Sequence, residues 1–277
     1  MSNNPETSET ATFLDHLDAL RWHLIRSFAV ILLLAIVAFL NKDFVFDGLV
    51  LAPARNTFWT YQTLCWLSEQ LKLGDNLCIQ EMGFKLSNIH MAGQFTQHLF
   101  VSFMLGIIAG FPYLIYEVWR FVRPALTQHE RKYGRRLLFF TFVLFVFGVL
   151  FGYYLLSPMS IQFLGSYRVT QEIQNVITLR SFISTLASVV FAAALIFEIP
   201  IIAYFLARME LITPEILKTY RRHALIVVLI ISAILTPPDF TSQVFLCIPF
   251  VLLYELSIKI SQRVKRQQDR AYEALGQ

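Results

Sequence analysis

Residues 183–206 read ISTLASVVFAAALIFEIPIIAYFL, 24 positions with one charged side chain, Glu198. As a helix rising 1.5 Å per residue this stretch is about 36 Å long, enough to cross a hydrocarbon core of about 30 Å. The surrounding chain agrees with lipid as its solvent. It is 56% hydrophobic and 15% charged, against about 45–50% apolar and about 25% charged in a soluble domain.

Moving outward, residues 24–40, 99–116 and 137–156 are further candidate spans, the last rich in Phe. Two shorter runs follow, 224–235 and 244–258. Between them lies Thr236-Pro237-Pro238-Asp239, which reads as a tight turn. Taken as a pair of short spanning helices, they bring the total to six. A single re-entrant hairpin is the alternative, and it would have to be buried in protein. The expected fold is all-α and polytopic: one membrane domain over residues 1–277, with six transmembrane helices, the last two short.

Lys and Arg set the orientation. The N-terminal segment, the second and fourth loops and the C-terminal tail hold 17 of the 23 basic residues. The other side holds 6, four of them spread over the long loop 41–98. Basic loops stay on the cytoplasmic side, so both termini are expected there. The net charge of +4 comes from this alternation and not from one basic face, so it does not point to nucleic acid.

Loop 41–98 then faces an oxidising compartment in a bacterium. Cys65 and Cys78, 13 residues apart, are expected to pair as a disulfide, with two free thiols as the alternative. Cys247, inside the sixth apolar run, reads as a packing residue. Phe58, Tyr61, Leu64, Cys65, Leu67 and Leu71 recur near a 3.6-residue period, predicting a helix over 57–72. It would either lie at the outer membrane surface, where Trp and Tyr are favoured, or form a small cap packed on itself.

No enzyme constellation appears. His-Glu-x-x-His, Gly-x-Ser-x-Gly, a phosphate loop and a dinucleotide fingerprint are all absent from the sequence, as are paired aspartates within the spans. No cofactor or metal is expected. What remains are polar residues in awkward places. Glu198, just before Ile199-Pro200, sits at membrane depth, where a carboxylate costs roughly 2.5–3.5 kcal/mol on insertion scales. Pro200 should kink the helix there. The glutamate could line a cavity or assembly surface, or be a neutral packing partner. The second loop carries Glu117 and Glu130. Glu130, between His129 and Arg131, could accept a guanidinium through two parallel bonds or simply complement the dipole of the third span. Near the N-terminus Phe13, Leu17, Leu20 and Leu24 form an apolar stripe. Asp15 and Asp18 share another face, able to hold a basic peptide or simply solvated.

Several segments together resemble the TatC family, the membrane subunit of the twin-arginine protein translocase. They are His16-Leu17-Asp18-Ala19-Leu20-Arg21; Phe111-Pro112 with Val118-Trp119-Arg120-Phe121-Val122-Arg123-Pro124-Ala125-Leu126 and His129-Glu130-Arg131; Phe147-Gly148-Val149-Leu150-Phe151-Gly152-Tyr153-Tyr154; Phe197-Glu198-Ile199-Pro200; and Leu235 through Gln243 with Ile248-Pro249. They run in the family's order over about nine-tenths of the chain.

The resemblance implies a non-enzymatic protein of the bacterial inner membrane. Such a protein binds the twin-arginine signal peptides of folded precursors. It assembles with TatA- and TatB-like single-span proteins, self-associates in membrane lipid, and supports transport driven by the proton-motive force. It implies that Glu130 contacts the signal arginines, that Phe121 is the signal-binding aromatic and that Arg21 is the N-terminal arginine. Glu198 would be the intramembrane glutamate, and Thr236 and Gln243, beside Asp239, the polar positions that meet partner helices. One position departs from the pattern: the family's N-terminal glutamate aligns with Ala19, leaving Asp18 or Asp15 to replace it from a different angle of the helix. If the two last helices are short, local thinning of the bilayer and plain burial against neighbours are both open. A small-solute or proton-coupled transporter is the competing class, disfavoured by the few intramembrane polar residues and the lack of a visible inverted repeat.

Overall fold

The computed structural model describes residues 5–70, 84–123, 128–170, 175–208, 212–235 and 240–275. The elements in chain order are α1 (Pro5–Leu40), α2 (Trp59–Gln70), β1 (Lys85–Ser87), α3 (Gly93–Val122), α4 (Gln128–Phe151), α5 (Ser157–Ser166), β2 (Val176–Thr178), α6 (Leu179–Phe197), α7 (Ile199–Arg208), α8 (Pro214–Thr219), α9 (Arg221–Leu235) and α10 (Phe240–Leu275). Among the described residues, four stretches are long and apolar enough to cross a membrane: Asp18–Leu40, Gly93–Val122, Leu137–Ser166 and Leu179–Arg208. They coincide with the first four expected spans.

The chain divides into two compact units. The first comprises Met1–Lys42 and Phe95–Phe142. Here α1 and α3 approach to backbone contact at Gly106 and Gly110. A Cβ on Gly106 would lie 2.7 Å from the Ile31 carbonyl oxygen and 2.9 Å from the Ala35 nitrogen; one on Gly110 would meet Ile31 Cγ1 at 2.8 Å. Small residues four apart are how helices pack closely in lipid, where there is no water to expel between them. Ile31, Ala35 and Val101 are buried in this unit.

The second unit comprises Asp43–Gln94 and Val143–Gln277. The end of α4 and the turn that follows it carry a matching pair. A Cβ on Gly148 would lie 2.8 Å from Ala194 Cα, and one on Gly152 would lie 2.9 Å from Val190 Cα, both on α6. A π-helical turn, Gly152–Leu156, joins α4 to α5, and Ser157 Oγ donates to the Gly152 carbonyl at 2.7 Å. Leu156, Val189, Ala193 and Phe250 form the core of this unit, flanked by Phe151, Ile199 and Cys247.

Loop 41–98 supplies a cap within the second unit. Helix α2 matches the helix expected over 57–72, and it is packed. Tyr61 is buried, and its hydroxyl donates to the carbonyls of Pro53 (3.0 Å) and Pro158 (3.2 Å). Burial pushes the Tyr61 phenol above its usual pKa. Thr60 donates to the Tyr154 carbonyl, and Tyr153 to that of Leu49 at 2.7 Å. Trp59 and Trp66 face outward. The described part of this loop thus packs against the π turn and α5 of the same unit, with its tryptophans left on the surface.

Two sets of contacts within the second unit bear on membrane parity. β1 and β2 pair in parallel, Lys85 with Val176 through Ser87 with Thr178. Both lie on one side, so an even number of crossings separates them. At the other end of the second unit, Lys265 Nζ reaches both Glu215 carboxylate oxygens at 3.1 Å, and Gln268 donates to the Arg208 carbonyl at 3.1 Å. Glu215 is held below the usual carboxylate range by its own backbone N–H, then by Lys265 and the Thr213 hydroxyl. Any membrane crossings between residues 215 and 265 would likewise have to be even in number.

The last two helices differ from expectation in one respect. Helix α9 has 15 residues, about 22 Å of rise. The run 244–258, however, opens a 36-residue helix, α10, that continues into the basic tail. Hydropathy marks where the apolar run stops, but a helix stops at a breaker, and no Gly or Pro occurs between Ile258 and Gly276.

Gly106→Ala is expected to destabilise the protein by about 1–3 kcal/mol, because the methyl group meets backbone atoms that cannot turn aside. Gly48→Ala is the control, since only Phe44 ring atoms lie near, at 3.7 and 3.9 Å. Unfolding in detergent, followed by Trp fluorescence, should separate the two.

Candidate functional site

The polar centre of the first unit lies where α1 meets the last turns of α3. Tyr113, Glu117 and Phe121 are spaced by four residues and share a face of α3. The Glu117 side chain is only 2% exposed. A buried carboxylate is costly unless donors reach it, and losing one partner of such a pair costs about 3–5 kcal/mol. Three groups converge on it. Tyr113 donates to Oε1 at 2.8 Å, and Arg120 Nη1 lies 3.9 Å from the same oxygen. His23 Nδ1, from α1, is bonded to Oε2. With the carboxylate ionised, Nδ1 carries the proton. The imidazole then meets the Phe121 ring edge to face, with centroids 6.0 Å apart and planes at 68°. Ser27, one turn along α1, donates to the His23 carbonyl at 3.0 Å.

Of the residues singled out from sequence, Arg21 and Asp18 are exposed on α1, and Phe121 is half-buried near the end of α3. Asp15 is helical in α1, and Glu130 is in the first turn of α4; the side chains of both lie outside the described residues. The structure thus joins Phe121 to α1 two residues past Arg21, through His23. Of the two carboxylates of the second loop, Glu117 is closed off and already bonded, so it offers no site for an incoming guanidinium. His23 and Tyr113 were not legible as functional residues. The available signal was the stripe Tyr113–Glu117–Phe121 running out of an apolar span, but its partner lies 94 positions away from Glu117.

Glu198 belongs to the second unit. It sits at the C-cap of α6, where the helix breaks before α7, and Pro200 is buried in the first turn beyond. The Glu198 backbone N–H bonds back to the Leu195 carbonyl at 3.1 Å, a tightened turn in place of the regular ladder. The side chain is 7% exposed, and Oε1 has no hydrogen-bond partner among the described residues. The expected kink and the burial of the glutamate coincide at one residue. Thr236 and Asp239 lie outside the described residues; Gln243 is helical in α10, its side chain not described. Cys65 is disulfide-bonded and Cys247 is a free thiol. Cys78, the expected partner of Cys65, lies outside the described residues. No group of His, Cys, Asp and Glu suited to a metal ion occurs among the described residues.

Long apolar helices, close glycine crossings and a few buried carboxylates define a polytopic α-helical membrane protein. Residues 15–249 match the family model of the Sec-independent protein translocase protein, TatC. The TatC of Blattabacterium sp. subsp. Periplaneta americana (strain BPLAN) is 34% identical over 256 residues, covering 92% of this chain and 96% of that protein. That of Aquifex aeolicus (strain VF5) is 34% identical over 184 residues, 64% of this chain and 76% of that protein. The crystal structure of a twin arginine translocase receptor, TatC, matches with a TM-score of 0.67 at 29% identity, covering 90% of this chain and 99% of that one. The chain belongs to the TatC family and is a subunit of the Sec-independent protein translocase.

Alkylation of the denatured, unreduced chain is expected to modify one thiol, Cys247, and reduction should release two more. Intact mass measured before and after reduction reads this directly.

Proposed function

We propose that this subunit receives the twin-arginine signal peptides of folded precursor proteins on the cytoplasmic side of the bacterial inner membrane. It then nucleates assembly with TatA- and TatB-like single-span proteins for export driven by the proton-motive force. Both termini lie in the cytoplasm, and α9 with the first half of α10 forms the fifth and sixth spans. The observation that carries this reading is the half-exposed Phe121 ring, braced by the His23 that Glu117 holds, with Arg21 exposed on the same helix as His23, in a chain of the TatC family.

A signal peptide with two arginines before an apolar stretch needs a carboxylate and a greasy surface together. Phe121 supplies the second. Glu130, with Asp18 or Asp15, supplies the first, since Glu117 is already occupied. Paired guanidinium groups favour a carboxylate through two parallel bonds, which a lysine ammonium cannot reproduce. Glu198, with Oε1 unbonded among the described residues at a helix break, forms with Thr236, Gln243 and Asp239 the polar set that meets partner helices. The positive-inside charge pattern supports the orientation, and the even-crossing contacts support two spans between each pair of joined segments.

Glu130→Gln is expected to weaken binding of an Arg-Arg signal peptide about tenfold or more, the scale of a lost charge-assisted hydrogen bond. The wild-type protein should prefer Arg-Arg over Lys-Lys in the same titration. Equal binding of the two peptides, or an unaffected Glu130→Gln variant, overturns the assignment. Glu198→Ala should retain peptide binding and lose most transport into inverted membrane vesicles. A reporter fused at the C-terminus should be active only in the cytoplasm.

A further inference from the structure

We propose that His23 is a positioning residue for Phe121: clamped on Glu117, its imidazole sets the angle at which the Phe121 ring is offered to a bound signal peptide. The inference rests on the reading of Phe121 given above.

The Glu117 carboxylate is the fixed point. It is buried, and one of its oxygens is engaged by Tyr113 at 2.8 Å with Arg120 at 3.9 Å, so it cannot swing away. Its other oxygen holds His23 Nδ1, which fixes both the place and the tilt of the imidazole. Phe121 lies one helical turn beyond Glu117, only one residue from the end of α3. The edge-to-face contact with His23 sets one wall against the ring, with centroids 6.0 Å apart and planes at 68°. A mere tie between α1 and α3 would need only a donor to Glu117. The residue present is one whose second half is a ring lying against Phe121.

The distinction is testable with the full-length chain in lipid nanodiscs, carrying 4-fluorophenylalanine at position 121 and read by fluorine NMR. The same samples are titrated with synthetic Arg-Arg and Lys-Lys signal peptides. His23→Asn keeps an N–H where Nδ1 stands and removes the ring. It is expected to shift the fluorine resonance and to weaken Arg-Arg peptide binding about fivefold, in the range of one lost aromatic contact, with the unfolding midpoint retained. Because loss of the His23 ring current moves the resonance by itself, affinity decides: unchanged Arg-Arg binding in the folded variant overturns the proposal and leaves His23 as a tie between helices. Should His23→Asn fail to fold, Tyr113→Phe removes one Glu117 donor while leaving both rings in place. It must move the same resonance in the same direction by less, and an unmoved signal also overturns the proposal. Wild-type peptide affinity in Phe121→Ala would refute Phe121 as a signal contact, and the fluorine shift of Tyr113→Phe, which keeps both rings, would then decide whether His23 positions the ring.

Discussion

Helices in lipid cannot be driven together by expelling water, so this structure depends on how closely their backbones can approach. In each unit the approach is made through two glycines four residues apart: Gly106 and Gly110 against α1, and Gly148 and Gly152 against α6. At Gly106 and Gly152 the neighbours are main-chain atoms and the short side chains of Ala35 and Ala193, while Gly110 also meets Ile31 Cγ1 and Gly148 meets Phe197 Cβ. The His23–Glu117 bond also relies on this. It lies about two turns of α1 before the Ile31 crossing, and a bond between two side chains can be held only where the helices that carry them are held.

Two buried carboxylates on this scaffold have opposite environments. Glu117 is surrounded by donors from three residues and is bonded at both oxygens. Glu198 is nearly as buried, yet has an oxygen with no partner among the described residues, at a point where the helix is already interrupted. Fully bonded buried groups rigidify a fold, whereas incompletely bonded ones mark places kept for something else.

Much of this was legible from composition and period. The apolar runs locate α1, α3, the α4–α5 pair and the α6–α7 pair, and the aromatic period over 57–72 locates α2 at Trp59–Gln70. The Glu198-Ile199-Pro200 triplet marks the break between α6 and α7, because a proline removes one rung of the ladder wherever it stands. What could not be read depends on distance along the chain. The β1–β2 pair joins residues about 90 positions apart, and His23 finds Glu117 across 94. Neither partner carries a local signal for the other. The length of α10 was missed for a different reason: its polar half is helical without being apolar, so hydropathy does not record it. At the candidate site, the resemblance named Phe121 and Glu130, but the residues bracing Phe121 come from geometry alone.

The short parallel ladder between β1 and β2 has a consequence for how the protein is made. Strand β1 ends at Ser87 and its mate begins at Val176, with two apolar spans between them. At a ribosome speed of about 5–20 residues per second, β1 waits roughly 4–18 s for β2 to emerge. The rungs can close only when both strands stand on one face of the bilayer, so a chain in which one of the two intervening helices crosses and the other does not leaves them apart. Three rungs of hydrogen bonding thus act as a clasp that fastens only when the two helices share one fate.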